Sequence, residues 1–204
     1  MRRAIAALVA VVLVLPLASC AGPVEGTPRA RSGGTTPAST ERSGAPVGTR
    51  APRVAEPLTP DPYVADACRA IPAERAGPLD LATPGRKATN AASSGCLWFT
   101  TDRQFSVAVG YMTALEAGLS EIYAQHARNP TVFKYFEPTD VTGYPALFAD
   151  KIDERERGEC LLNIGVTDDL YMFVAANHLP RGKNVCELAA QVGAAVVATM
   201  KKGA

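Results

Sequence analysis

The sequence predicts an α+β fold in a single domain: an antiparallel sheet of about six strands carrying packed helices and held by two disulfides. Three observations predict it. Short apolar stretches of strand length come in pairs joined by brief polar turns, which favours hairpins over crossovers. The chain closes on a long apolar stretch with helix signals at both ends. Five cysteines less Cys20, which directly follows an export signal, leave four, and an even number in an oxidising compartment reads as a disulfide frame.

The chain opens with Arg2 and Arg3, an apolar run over residues 4–15, and then Leu17-Ala18-Ser19-Cys20. The run is signal-peptide length and too short for a span of about 20 residues. A cysteine directly behind small residues and an apolar run reads as a lipobox. The expectation is a lipoprotein signal over residues 1–19, and a diacylglyceryl group and palmitate-type acyl chains on Cys20. Two chains give durable anchoring where one gives marginal binding. The mature protein is expected on the extracytoplasmic face of the cell membrane.

Residues 20–60 follow as a disordered tether. Among residues 21–60 there are seven prolines, six glycines and nine serines or threonines, a composition that does not bury a core. An O-glycosylated stalk is the alternative reading of the same composition. The two signal arginines, and five arginines against three glutamates in the tether, leave a net charge of −3 on residues 61–204, out of +1 for the whole chain. A mildly acidic domain without a basic stripe is not a nucleic-acid binder.

The folded domain is read over residues 61–204, a common domain size. Residues 63–71 suit a short helical turn and Pro72 opens another, which Gly77-Pro78 stops. Residues 79–95 are turn-rich. Residues 96–101 and 105–112 read as strands around a turn at Asp102-Arg103, the second with Phe105, Val107, Val109 and Tyr111 on one face. An amphipathic helix is expected over 114–127, where Leu115, Leu119, Ile122 and Tyr123 share a face, ended by Asn129-Pro130.

Residues 137–142 and 146–152 read as strands around a Gly143-Tyr144-Pro145 turn, and 160–166 and 170–176 as the clearest hairpin, turning at Asp168-Asp169. The last helix opens at Asn184, with Glu187 three residues later as in a capping box, and closes at Lys201-Lys202, cations suited to a helix C-terminus.

Cysteine spacing then orders the pairing. Four cysteines allow three connectivities. A two-residue turn at Asp168-Asp169 pairs Thr167 with Leu170, and counting outward puts Cys160 opposite Asn177. Cys186 comes nine residues later, in the first turn of the last helix. Cys160 is therefore expected to bridge Cys186, leaving Cys68 for Cys96. A zinc site does not fit, because there is no Cys-x-x-Cys pair and neither histidine lies near a cysteine.

Asp66-Ala67-Cys68, Ile71-Pro72-Ala73-Glu74, Cys96-Leu97-Trp98, Val141-Thr142-Gly143-Tyr144-Pro145-Ala146, a strand-borne Cys160 and a helix-opening Cys186 together resemble an actinobacterial lipoprotein family catalogued as domain of unknown function thirty-five fifty-eight. The resemblance runs from about Tyr63 to Met200, and the lipobox and tether fit it. Ala67 stands where members often have proline. The resemblance implies a cell-envelope lipoprotein with paired cysteines, and it brings no catalytic residues.

The chemistry-bearing residues point the same way. His126 and His178 have no carboxylate or second histidine at ligand spacing and read as solvated. The run of charges over 150–159 lacks calcium-loop spacing and reads as a solvated hairpin. Ser93-Ser94-Gly95 lacks the nucleophile-elbow pattern. Trp98 beside Cys96 reads as a core ring packed on a disulfide. No catalytic set, metal site or cofactor is expected.

One segment stands out, because Phe133, Tyr135, Phe136, Tyr144 and Phe148 are five of the twelve phenylalanines and tyrosines. They lie around Pro138 and Pro145, and aromatics in irregular backbone can line a ligand groove. The expectation is a non-enzymatic binding module for a small or lipidic ligand, with an envelope-protein or wall partner as the alternative.

Overall fold

A computed structural model describes residues 48–179 and 184–203. The signal, Cys20 and the first part of the tether lie outside the described residues. Seven strands form one sheet in the order β1-β2-β3-β7-β6-β5-β4, all pairs antiparallel. They are β1 (Arg86–Lys87), β2 (Ser94–Phe99), β3 (Ser106–Tyr111), β4 (Tyr135–Val141), β5 (Tyr144–Asp150), β6 (Cys160–Gly165) and β7 (Tyr171–Asn177). The helices are α1 (Asp61–Ala65), α2 (Ala73–Ala76), α3 (Ser120–Arg128) and α4 (Val185–Lys202). The expectation of about six strands falls one short. The missing strand is β1, whose two residues are too few to display a period of two.

One face of the sheet holds the main core. On α4, Val185, Ala189, Val192, Gly193, Val196, Val197 and Met200 are buried, the three- and four-residue spacing of a single helix face. They pack with Val107, Val109, Tyr111, Leu162, Ile164, Met172 and Val174 of the strands. Fully burying each such aliphatic side chain stabilises the fold by about 1.5–3 kcal/mol. The Asn184 side chain accepts a hydrogen bond from the Glu187 N–H at 3.1 Å, the expected cap. Tyr63, Ala67, Ala70 and Ile71 of the N-terminal turns join the same core beside Cys96 and Trp98. Both disulfides form as the spacing predicts, Cys68–Cys96 and Cys160–Cys186.

Four local expectations need correction. The helix expected from 114 begins at Ser120, because Gly118 has φ +52° and breaks it. The turn expected at Gly143-Tyr144-Pro145 is a two-residue turn at Thr142-Gly143, φ 53° and 90°, with Val141 opposite Tyr144. Positive φ at both positions matches the twist of a tight hairpin. Asp140 Oδ1 steadies it by accepting the Gly143 N–H at 2.8 Å. Tyr144 and Pro145 therefore belong to β5.

The third correction concerns register. The N–H groups of Val166 and Thr167 both donate to the Leu170 carbonyl, at 3.0 and 3.2 Å. That bulge adds one residue on the β6 side, so Cys160 faces Ala176 instead of Asn177. Cys160 thereby points to the α4 face, where Cys186 waits.

The fourth concerns the tether, which packs onto the domain before residue 61. Val54 and Leu58 are 8% and 7% exposed. The Leu58 N–H donates to the Val166 carbonyl at 2.9 Å, and both oxygens of Asp168 hold Arg53 and the Val54 N–H. Two apolar side chains suffice because the surface they cover is supplied by the sheet.

Candidate functional site

The five aromatics of 133–148 do not share one groove. Strand alternation divides them between the faces of the sheet. Tyr144 and Phe148 lie with the α4 core, and Phe133 and Phe136 pack with α3. Tyr135 is buried at the sheet margin, where its hydroxyl accepts the Leu161 N–H at 3.2 Å. The Arg155 guanidinium lies 4.3 Å from its ring centroid and is paired to Glu137 and Asp153. Burial raises the Tyr135 phenol pKa, with the Leu161 hydrogen bond opposing. The Tyr144 ring is 2% exposed and lies under the Lys201 ammonium at 4.8 Å. These two rings are structural.

The remaining candidates resolve similarly. Trp98 is buried in the core cluster that contains Cys96. His178 is exposed, 3.7 Å from Glu159. His126 departs from the solvated reading: its ring stacks on Phe136 at 4.0 Å, and its Nδ1 is buried without a hydrogen-bond partner among the described residues. The charged run forms interleaved pairs, Arg155 with Asp153 and Arg157 with Glu154. Among the described residues, no three of His, Cys, Asp or Glu come together as metal ligands would.

What sequence reasoning missed is the second face of the sheet. α3 covers part of it, packing Leu119, Ile122 and Tyr123 on Leu147, Ala149 and Tyr171. On the other face of β2, β3, β7 and β6 the half-buried apolar residues are Leu97, Phe99, Ala108, Leu161, Phe173 and Ala175, while Gly95, Ser106, Gly110 and Asn163 beside them are buried.

Leu97, Ala108, Ala175 and Leu161 stand opposite one another in register, a straight row across four strands. Small side chains occupy its middle and leucines its ends. Phe173 flanks the row and lies over Gly110, where a Cβ would come within 2.5 Å of its ring. Phe99 flanks the other side, with the Arg86 guanidinium 5.3 Å from its centroid. The signal was legible, since Tyr171-Met172-Phe173-Val174-Ala175-Ala176 is apolar without alternation, as a strand buried on both faces would be.

A concavity opens at the arm, the part of the tether over residues 50–58 that packs onto the domain. A half-open cleft of about 470 Å³ runs between residues 50–54, the start of α3, Pro145 and the β6–β7 turn. Gly118, with φ +52°, lets the chain entering α3 press against that turn, where a Cβ would meet the Asp168 carbonyl oxygen at 2.6 Å. The Val54 N–H, followed by the Arg53 guanidinium, holds the Asp168 carboxyl below its usual range. Among the described residues, no helix is long and apolar enough to cross a membrane.

No curated protein and no solved structure matches the chain. The model of the family described as "Protein of unknown function (DUF3558)" matches residues 15–199, most of the chain, and the protein belongs to that family.

Proposed function

We propose that the protein is a non-catalytic, lipid-anchored docking module of the cell envelope, which presents its open sheet face to a partner on the membrane or wall. The apolar row Leu97, Ala108, Ala175 and Leu161, flanked by Phe99 and Phe173, carries this reading. An antiparallel sheet with one face in water ordinarily carries polar residues there. A contiguous half-buried apolar face with polar residues such as Arg86 and Asn177 at its margin suits an interaction site.

The anchor rests on the lipobox and Cys20.

The test separates anchor from docking. The Cys20→Ser protein should lose membrane partitioning by detergent phase yet still sediment with isolated envelopes through the sheet face. Adding Ala175→Arg should abolish that residual sedimentation with the melting temperature unchanged. Sedimentation that persists in the double variant would contradict the docking face.

A further inference from the structure

The cleft at the arm opens at the far end of β6, the strand that also carries Leu161 of the open row, and takes its other walls from residues 50–54, the start of α3, Pro145 and the β6–β7 turn. Its floor is apolar and its walls are mixed, with Arg50, Arg53, Ser120, Thr167 and Asp168 among the lining residues. At Gly165 a Cβ would lie 3.2 Å from both Leu119 Cδ1 and Val54 Cγ2 and 3.4 Å from Pro145 Cγ, so these three side chains converge over a position that carries none. Ala51, Pro52 and Ala117 continue the lining.

Its polar groups are unevenly committed. Asp168 is fully engaged, Oδ1 accepting from the Val54 N–H and Oδ2 from Arg53 Nε, each at 2.9 Å, so its charge is answered within the arm. Thr167 donates to Asp169 and accepts the Leu170 N–H. Two groups remain. Arg50 lines the cleft, exposed, and forms no ion pair among the described residues. Ser120 Oγ accepts the Ala51 N–H at 3.3 Å, and a hydroxyl that accepts still has its own proton to donate.

We infer that this cleft binds a small amphipathic anion, with a carboxylate or phosphate on Arg50 and the Ser120 hydroxyl and an apolar body against Val54, Leu119 and Pro145. Its size falls within the ordinary range of small-ligand sites, about 300–1,000 Å³. Its surplus cation selects charge, and its lining selects for an apolar tail over a fully hydrated ion. The neutralised Asp168 leaves Arg50 free to meet the ligand.

The probe is octanoate below its micellar range, with octanol and inorganic phosphate as partial mimics, added to the full chain and followed by amide shifts. Octanoate should saturate and move the amides of Ala51, Leu119 and Gly165. Octanol and phosphate should each bind about tenfold or more weakly, the effect of losing roughly one charge-assisted hydrogen bond or the apolar contact.

Arg50→Gln, at an exposed position, should weaken octanoate about tenfold with no change in melting temperature. Ala117→Trp, also exposed, should block the cleft. Phosphate binding as tightly as octanoate would overturn the amphipathic class. Shifts confined to the open sheet face, or insensitive to both variants, would overturn the site.

Discussion

The carboxylate of Asp168 accepts a hydrogen bond from the backbone N–H of Val54 at 2.9 Å, across 114 positions of sequence. This contact, with Arg53 on the other oxygen, makes residues 51–58 part of the fold. Asp168→Ala should free the arm, and tryptic cleavage after Arg53 should accelerate severalfold while the rest of the domain stays resistant. An unchanged cleavage rate would show that Val54 and Leu58 hold the arm without Asp168.

The same carboxyl gives a pH dependence. Its folded pKa is lowered, first by the Val54 N–H and then by Arg53, below the unfolded value near 3.9. Its contribution is therefore complete above about pH 4 and is lost as pH falls through the lower folded value. Exchange protection of the Val54 amide should persist through neutral and mildly acidic conditions and fail only below the ordinary carboxylate range. Loss near pH 6 would implicate another group.

The disulfides staple β2 and β6 to helical turns. Each closes a loop, with separations of 28 residues for Cys68–Cys96 and 26 for Cys160–Cys186. Replacing either pair by serine should lower stability by about 3 kcal/mol in urea unfolding. A loss under about 1 kcal/mol would mean that the reduced chain already holds these ends together.

Much of the fold was legible because its elements are locally periodic. The β6–β7 hairpin and the cap at Asn184 follow from side-chain order alone. The departures are tertiary in origin. Gly118 ends a helical pattern because the β6–β7 turn presses on it. Leu58 is buried because Val166 offers it a carbonyl and a surface. The bulge at Val166 and Thr167 shifts the register with neither glycine nor proline at the two bulged positions to mark it. The candidate site was misplaced for a related reason: counting aromatics along 133–148 ignores the period of two, which sends Phe136 and Tyr144 to opposite faces.

That division predicts how the aromatics respond. Tyr144→Ala removes a ring that is 2% exposed and should cost about 3–5 kcal/mol. Phe99→Ala, on the half-exposed face, should cost markedly less. Equal losses would place Phe99 in the core and remove it from the docking face.

Gly118 offers a backbone test. Gly118→Ala must hold φ +52° and place a Cβ 2.6 Å from the Asp168 carbonyl oxygen. The strain alone is expected to cost about 1–3 kcal/mol by chemical denaturation. A neutral substitution would mean that the turn before α3 can relax away from Asp168.

The docking face is tested most directly by side-chain accessibility in place. Ala175→Cys lies in the middle of the apolar row, and Thr139→Cys lies on the exposed edge strand β4 as a control. In the purified protein both should react with a water-soluble maleimide. On intact cells the Thr139→Cys protein should still be labelled, and the Ala175→Cys protein should be shielded several-fold by the partner on the face. Labelling of Ala175→Cys on cells at the rate seen in the purified protein would show that the face stands open to water and would contradict the account.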